Sequence, residues 1–426
     1  MLIAATERRT RTLASHEWAA IEQNTAFWRL LAEGYIGVSQ VDVGRYEIRG
    51  NQYVGRAIAG DVELIVKEKV AGALEALVSF ASGSELLLDD AADSPASEFD
   101  RVSMALMREF VRAAGRYIAE RREPRFRYQQ MSGAALGGSF DPPRTLRLHA
   151  RGQRHLLAYS AGRVVRDSPL DRVTLAALDE IDRAGPMLGV EASTLFQARW
   201  LAGALEDVRD EKFHLAERDD FLAAAETLAS RPDVEFVDRD LAKLATVVIL
   251  HQGFEWSAAR TEVVPRAWFI DLERLFEQAV RRGLRDECDS HRVDRGEPLA
   301  RRLFSGGVDS SKVNPDLVVR DGSLVQAVGD VKYKSLHVED EAATGGLRDA
   351  KGAGRQDLYQ LLVHASSLGA ATAFLVYPAE ATYRVRYLGR SSSGIATWTA
   401  EVRPHHLRKD LGQLVDDLRL ATAIAA

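Results

Sequence analysis

The stretch Val313–Lys334, VNPDLVVRDGSLVQAVGDVKYK, constrains this chain most. Two apolar runs flank Asp321-Gly322, a dipeptide that favours a tight hairpin turn because both residues tolerate positive φ. Strand residues two apart share a face, so Asp330 and Lys332 point one way and Val331 the other. Asp316, on the first run, completes a set of two carboxylates and one ammonium on a rigid support. Such a set suits metal-assisted phosphodiester hydrolysis. Carboxylates hold Mg²⁺ beside a substrate phosphate, and the lysine orients the attacking water or offsets developing charge. Asp and Lys at this spacing also suit a solvated hairpin, so the surroundings must decide.

The turn imposes a parity. A strict two-residue turn at Asp321-Gly322 pairs Arg320 with Ser323 and Asp316 with Ala327, which leaves Asp316 and Asp330 on opposite faces. A shared metal forbids that. The expectation is a three-residue loop with Gly322 in the left-handed region, or a bulge near Gly329.

Downstream, Asp357-Leu-Tyr-Gln360 opens a helix whose Leu358, Leu361, Leu362, Ala365 and Leu368 face the core, with Asp357, Gln360 and His364 on another face. Thr372–Pro378 reads as a buried strand. Upstream, Ile270 to Arg282 reads as a helix with Leu272, Leu275, Phe276, Ala279 and Val280 as its buried stripe and Glu277 beside it, either paired with Arg281 or aimed at the metal. Helix, three strands, helix, strand resembles the PD-(D/E)xK nuclease core. More narrowly, the chain resembles the McrC family, nuclease subunits of McrBC modification-dependent restriction systems. The matching pieces are Leu275-Phe-Glu277, Asn314-Pro-Asp316, Gly329-Asp-Val-Lys-Tyr-Lys334, Asp357-Leu-Tyr-Gln360, Leu375-Val-Tyr-Pro378, and Tyr53-Val-Gly55 followed by Val62-Glu-Leu-Ile-Val66. Two departures stand out: Glu68-Lys69 where the family often has Pro-Lys, and His364 where related nucleases often carry tyrosine after Gln-x-x-x.

The resemblance implies a Mg²⁺-dependent endonuclease subunit acting on double-stranded DNA that carries modified bases, docked on an AAA-type, McrB-like GTPase ring. GTP would be bound by that partner. Carried over residue by residue, it implies Asp316, Asp330, the Val331 carbonyl and Glu277 as metal ligands, Lys332 as the group that assists water, and Gln360 as a contact to phosphate or to a ligand. Two other readings remain: a non-catalytic adaptor bridging a GTPase ring to DNA, and a stand-alone DNA repair nuclease. The chain has no Gly-x-x-x-x-Gly-Lys-[Ser/Thr] phosphate loop and no Gly-x-Ser-x-Gly elbow at the candidate residues.

A length of 426 residues suits two or three domains, and 46% apolar with 28% charged residues is the balance of a soluble globular protein. The expected class is a multidomain α+β or α/β chain: a β-rich docking module over 1–88, a mostly helical middle over 99–252, and a nuclease domain over 262–426. In the first, residues 15–33 read as one helix with Trp18, Ile21, Phe27, Leu30 and Leu31 inward. Glycine-rich strands follow over 35–70, where Val62, Leu64 and Val66 alternate with Glu63, Ile65 and Lys67. Asp89–Glu98 reads as a linker and 284–312 as a mobile excursion. In the middle, Val173, Leu175, Leu178 and Ile181 mark one helix and Leu195, Trp200, Leu201 and Leu205 another.

The net charge of −6 excludes a generally basic nucleic-acid binder, so any DNA contact is local. One segment qualifies. Arg112 to Arg166 holds twelve arginines, no lysine and three acids. It suits phosphate contact, a solvated face or an acidic protein partner. The single cysteine, Cys288, excludes an internal disulfide and a cysteine-cluster metal site. His214 and His251 stand without metal-ligand spacing. The first residues lack the long apolar core of a signal peptide, and no run reaches membrane-spanning length, so a cytoplasmic protein is expected.

Overall fold

The computed structural model describes residues 1–59, 62–84, 86, 98–122, 125–165, 168–231, 233–255, 266–288, 292–294, 301–302, 312–334 and 354–425. Of the linker expected at 89–98, residues 89–97 lie outside the described residues and Glu98 opens the helix Glu98–Arg116. Of the excursion expected over 284–312, residues 284–287 belong to the helix Leu272–Glu287 and most of the rest lies outside the described residues. The chain divides into two compact units, Met1–Leu106 with Leu250–Ala426, and Met107–Ile249.

In the first unit, a five-stranded sheet runs in the order Leu2–Thr6, Val62–Lys67, Tyr53–Ala59, Arg266–Asp271, His251–Glu255. The first two strands are parallel and the other pairs antiparallel. The strands His251–Glu255 and Arg266–Asp271 thus complete a sheet begun at the N-terminus. A three-stranded sheet of Thr10–Thr12, Arg45–Gly50 and Ile36–Asp42 lies in the same unit. Val62, Leu64 and Val66 are buried as their alternation requires, and they join Ile3, Ile21, Phe27, Leu30, Ile48 and Phe269 in one core. Trp18 and Leu31 pack partly buried against it. Residues 15–33 form two helices, Ser15–Glu22 and Thr25–Ala32. The break falls at Asn24, whose carbonyl accepts from the Phe27 amide (3.1 Å) and restarts the chain.

The other large sheet of this unit has six strands in the order Arg292–Asp294, Leu317–Asp321, Leu324–Val331, Thr372–Pro378, Ala396–Val402, Arg384–Arg390. The outer pairings are antiparallel, and the two made by Thr372–Pro378 are parallel. Every residue of Thr372–Pro378 is buried, as a central strand demands. The helix Arg355–Leu368 joins the parallel neighbours 324–331 and 372–378, and its Leu361, Ala365 and Leu368 pack on Val318, Val328 and Leu375. Upstream, Ile270 and Asp271 end a strand rather than begin a helix. The Asp271 carboxylate accepts from the Arg274 amide (3.1 Å) and caps the helix Leu272–Glu287. No helix among the described residues is long and apolar enough to cross a membrane.

The second unit is mostly helical. Pro169–Leu188 carries a capping box between Ser168 and Asp171 and buries Val173, Leu175, Leu178 and Ile181. Ala192–Ala204 buries Leu201 but leaves Trp200 65% exposed, so Trp200 is not the core residue its spacing suggested. The arginine-rich segment is not helical throughout. Arg125–Gly133, Leu157–Val165 and Ser139–Phe140 form a small antiparallel sheet with the helix Pro142–Ala150. Its arginines divide by role. Arg121 bonds Asp238 (2.8 Å) and Glu235, and Arg122 bonds Asp171 (3.1 Å) and Asp207 (2.5 Å), so both are structural. Arg147, Arg151 and Arg154 are exposed.

Gly55 pairs with Phe269 across two strands of the N-terminal sheet. A Cβ at this residue would stand 2.1 Å from the Trp268 carbonyl oxygen and 2.7 Å from the Phe269 Cα. Gly55→Ala should therefore cost roughly 1–3 kcal/mol, read as a lower urea midpoint, whereas Ala at the open position Gly44 should cost less.

Candidate active site

The hairpin turns one residue later than Asp-Gly suggests. Asp321 pairs with Leu324, so Gly322 and Ser323 make a two-residue turn, with Gly322 at φ +56°. Continued without interruption, that register would set Asp316 against Gly329 and again put the aspartates on opposite faces. A bulge prevents it. Arg320 pairs with Val325 but Val319 pairs with Ala327, which makes Gln326 the extra residue. Leu317 then opposes Gly329, and one step further Asp316 stands opposite Asp330. The turn keeps two residues instead of the three expected, and the bulge lies at Gln326 instead of near Gly329.

Asp316 is half-buried, and its Oδ2 accepts from the Val331 amide at 2.8 Å. Asp330 is 1% exposed, with its Oδ2 2.7 Å from Lys332 Nζ. Burial, then the charge and hydrogen bond of Asp316, push the Asp330 carboxyl up to about 8, and Lys332 offsets this only in part. Burial pulls Lys332 down, but Asp330, Asp316 and Asp357 outweigh it and hold the ammonium above its ordinary value. The Lys332 amide donates to the Val376 carbonyl (2.9 Å), which fixes the strand end to the central strand. Two residues on, Lys334 Nζ lies 2.5 Å from Asp357 Oδ2, which also accepts from the Tyr377 hydroxyl at 3.1 Å.

The other expected residues sit differently. Glu277 pairs with Arg281 one turn on, and Arg281, 3% exposed, donates from Nε to the Asp316 backbone carbonyl (3.4 Å). A guanidinium this buried needs a counter-charge, and Glu277 supplies it. The structure does not bring Glu277 into a group with the two aspartates: no three His, Cys, Asp or Glu side chains converge as a metal cluster among the described residues. On the helix Arg355–Leu368, Asp357 and His364 are both buried on the packed side and Gln360 is exposed, so the three do not share a face. Asp357 and His364 are seven residues, two turns, apart. Burial lowers the His364 pKa, and its ring feels the charges of Asp316 and Lys332. His251 is a core histidine, with Nε2 3.2 Å from Ser103 Oγ.

Sequence reasoning passed over Lys334, Tyr377 and the Arg281 contact to Asp316. Lys334 was within reach, because it shares the face of Asp330 and Lys332 by strand alternation. The arrangement as a whole places two facing carboxylates, an ammonium and a second ion pair at the end of two strands. Among the described residues, Asp316 and Asp330 are the carboxylates that face each other there.

A protein-family model described as McrBC 5-methylcytosine restriction system component matches residues 48–378, a span that contains all of these residues. The chain belongs to that McrBC family. No curated protein matches it in sequence. Among solved structures, a chain of the refined half-complex from the tetradecameric assembly of Thermococcus gammatolerans McrB AAA+ hexamers with bound McrC aligns at 14% identity and TM-score 0.45. That alignment covers 98% of this chain and 100% of the other. A chain of the cryo-EM structure of the Thermococcus gammatolerans McrBC complex aligns at 15% identity and TM-score 0.36, covering 68% and 89%.

The buried acid of this McrBC-family site should be visible in stability. Asp330 has a folded pKa above its unfolded value, so the folded state keeps a proton that the unfolded chain has released. Stability is lost as pH rises from the unfolded pKa to about 8. With chelator present, Asp330→Asn should melt above wild type at pH 8.5, by roughly 1 kcal/mol or more, and match it near pH 4. Thermal melts across this range test it; parallel curves would contradict the buried-charge assignment.

Proposed function

We propose that this chain is the Mg²⁺-dependent DNA endonuclease subunit of a GTP-driven, modification-dependent restriction complex, with its C-terminal sheet in the PD-(D/E)xK class. The observation that carries the reading is Asp316 opposite Asp330, with Lys332 in ion-pair contact, in a chain of the McrBC family. The donor set fits a hard cation: two facing carboxylates, one of them buried and short of counter-charge, with no third acidic side chain closing the site among the described residues. Mg²⁺ held by Asp316, Asp330 and the Val331 carbonyl would supply positive charge beside the scissile phosphate and make a bound water more acidic.

The residues of the chain do the rest. Asp330 holds Lys332 charged and oriented, and Lys332 aligns the attacking water and offsets negative charge as the P–O ester bond breaks. Lys334 and Tyr377 fix Asp357 at the edge of the site. Glu277 contributes through Arg281, which holds the Asp316 backbone, rather than as a direct ligand. Gln360, exposed on its helix, can reach a DNA phosphate.

A nuclease that reads no sequence must have its access to DNA controlled. In the Thermococcus gammatolerans assembly, McrC is bound to McrB AAA+ hexamers. We take this chain to dock on a ring of that type through residues 1–88, with the glycine-rich strands over 35–70 against the ring. The partner would bind GTP and read the modified base, and this chain would stimulate its GTP hydrolysis. In the same reading Arg147, Arg151 and Arg154 contact DNA phosphates.

With its partner, GTP and modified DNA, the chain should cut; alone with Mg²⁺ it should cut poorly. Lys332→Ala should lower the cleavage rate by about 10²-fold or more while complex formation and GTP hydrolysis persist. Wild-type-like cutting by Lys332→Ala removes the assignment. Efficient cutting of unmodified DNA by the isolated chain would favour a stand-alone repair nuclease. GTPase stimulation without any cutting would favour an adaptor.

A further inference from the structure

Lys332 and Lys334 face the site, so the residue between them faces away from it. Tyr333 is fully buried, with its ring 5.4 Å from that of Phe276 on the helix Leu272–Glu287. It lies past Val331, the last residue of the paired strand, so the sheet ladder does not hold its carbonyl. Lys69 holds it. Lys69 Nζ donates to the Tyr333 carbonyl oxygen (3.4 Å) and lies 4.8 Å from the centre of the Tyr333 ring. Lys69 lies two residues past the end of the strand Val62–Lys67 of the N-terminal sheet.

The surroundings are charged and enclosed. Glu7 is fully buried, and the charges of Lys69 and Arg8 offset its burial in part; the Tyr333 hydroxyl has no hydrogen-bond partner. Arg8 Nε stands 3.4 Å from Glu7 Oε1, and Arg8 reaches Glu273 on the helix Leu272–Glu287 at 2.9 Å. Lys69 also gives the buried Glu7 carboxylate positive charge, ahead of Arg8, a role that any cation at this place would fill. What only a lysine or arginine supplies is a charged donor to the Tyr333 carbonyl together with attraction to the ring face.

We propose that Lys69 is a positioning residue for phosphodiester hydrolysis. By holding the backbone and ring of Tyr333 it fixes the strand end that carries Lys332 and Lys334, and it ties that end to the N-terminal sheet. Movement of that sheet on docking would thus reach the lysine beside Asp330. The inference rests on the nuclease reading above, and its test includes a measurement that does not need activity.

In the isolated full chain, Lys69→Met should speed amide hydrogen exchange in the peptide covering 324–334 more than in the other peptides of the N-terminal and C-terminal sheets. In the complete complex with a McrB-type ring, GTP and modified DNA, the same variant should lower the single-turnover cleavage rate by about tenfold or more, because small misplacements of a reacting group are costly. The DNA concentration for half-maximal rate and the GTP hydrolysis rate should stay within about twofold, and Lys69→Arg should restore most of the cleavage. Should Lys69→Met fail to fold, Lys69→Gln, which keeps a neutral donor, serves the same comparison. Unchanged exchange over 324–334 would overturn the proposal even if wild type proved inactive, an outcome that would separately remove the nuclease reading. A general drop in melting temperature, with binding and cleavage falling together, would also overturn it.

Discussion

Two carboxylates made to face each other across a buried hairpin are the constraint on which the rest of this site depends. Burial and mutual repulsion both disfavour the charged form, and Asp330 bears most of that cost. The neighbourhood is arranged to tolerate it. The Val331 amide points at Asp316, Lys332 at Asp330, and Arg281 at the Asp316 backbone. None of these removes the repulsion between the carboxyl groups themselves. Below about pH 8 the buried Asp330 meets this by keeping a proton, and in the proposed reading a cation would take that proton's place.

Much of this was legible because strand alternation is a matter of counting. The sequence requires that the register between Asp316 and Asp330 change parity somewhere, or the two residues cannot meet. The structure makes that change, but at Gln326 and with the turn at Gly322-Ser323. Counting establishes that a bulge is needed and is indifferent to where it falls. Placement depends on which residue the twist of the sheet accommodates most cheaply, and Asp-Gly and Gly-Ser are both acceptable turn pairs. The buried central strand Thr372–Pro378 was equally legible, since an uninterrupted apolar run between turn signals has few other uses.

What escaped the sequence depends on partners distant in the chain. Glu277 lies beside the buried stripe of its helix, but Arg281 is buried and takes it as counter-ion. His364 lies on the packed face of its helix rather than the outer one, because the helix Arg355–Leu368 is covered by strands whose position the sequence does not disclose. Its burial on the same side as Asp357 follows from the sheet against which the helix packs. The strands Arg266–Asp271 and His251–Glu255 complete a sheet begun at Leu2, a pairing that no local pattern announces. The small sheet within the arginine-rich segment was hidden by its charge, which drew attention to partners and away from the alternation of Arg125–Gly133.

The central claim is that Asp316 and Asp330 share a divalent cation. Crystals of the full chain soaked in Mn²⁺ allow a direct test through anomalous scattering. The account predicts a peak within coordination distance of carboxylate oxygens from both residues, lost in Asp330→Asn. A map with no peak at this pair, or with Mn²⁺ bound elsewhere in the sheet, would contradict it.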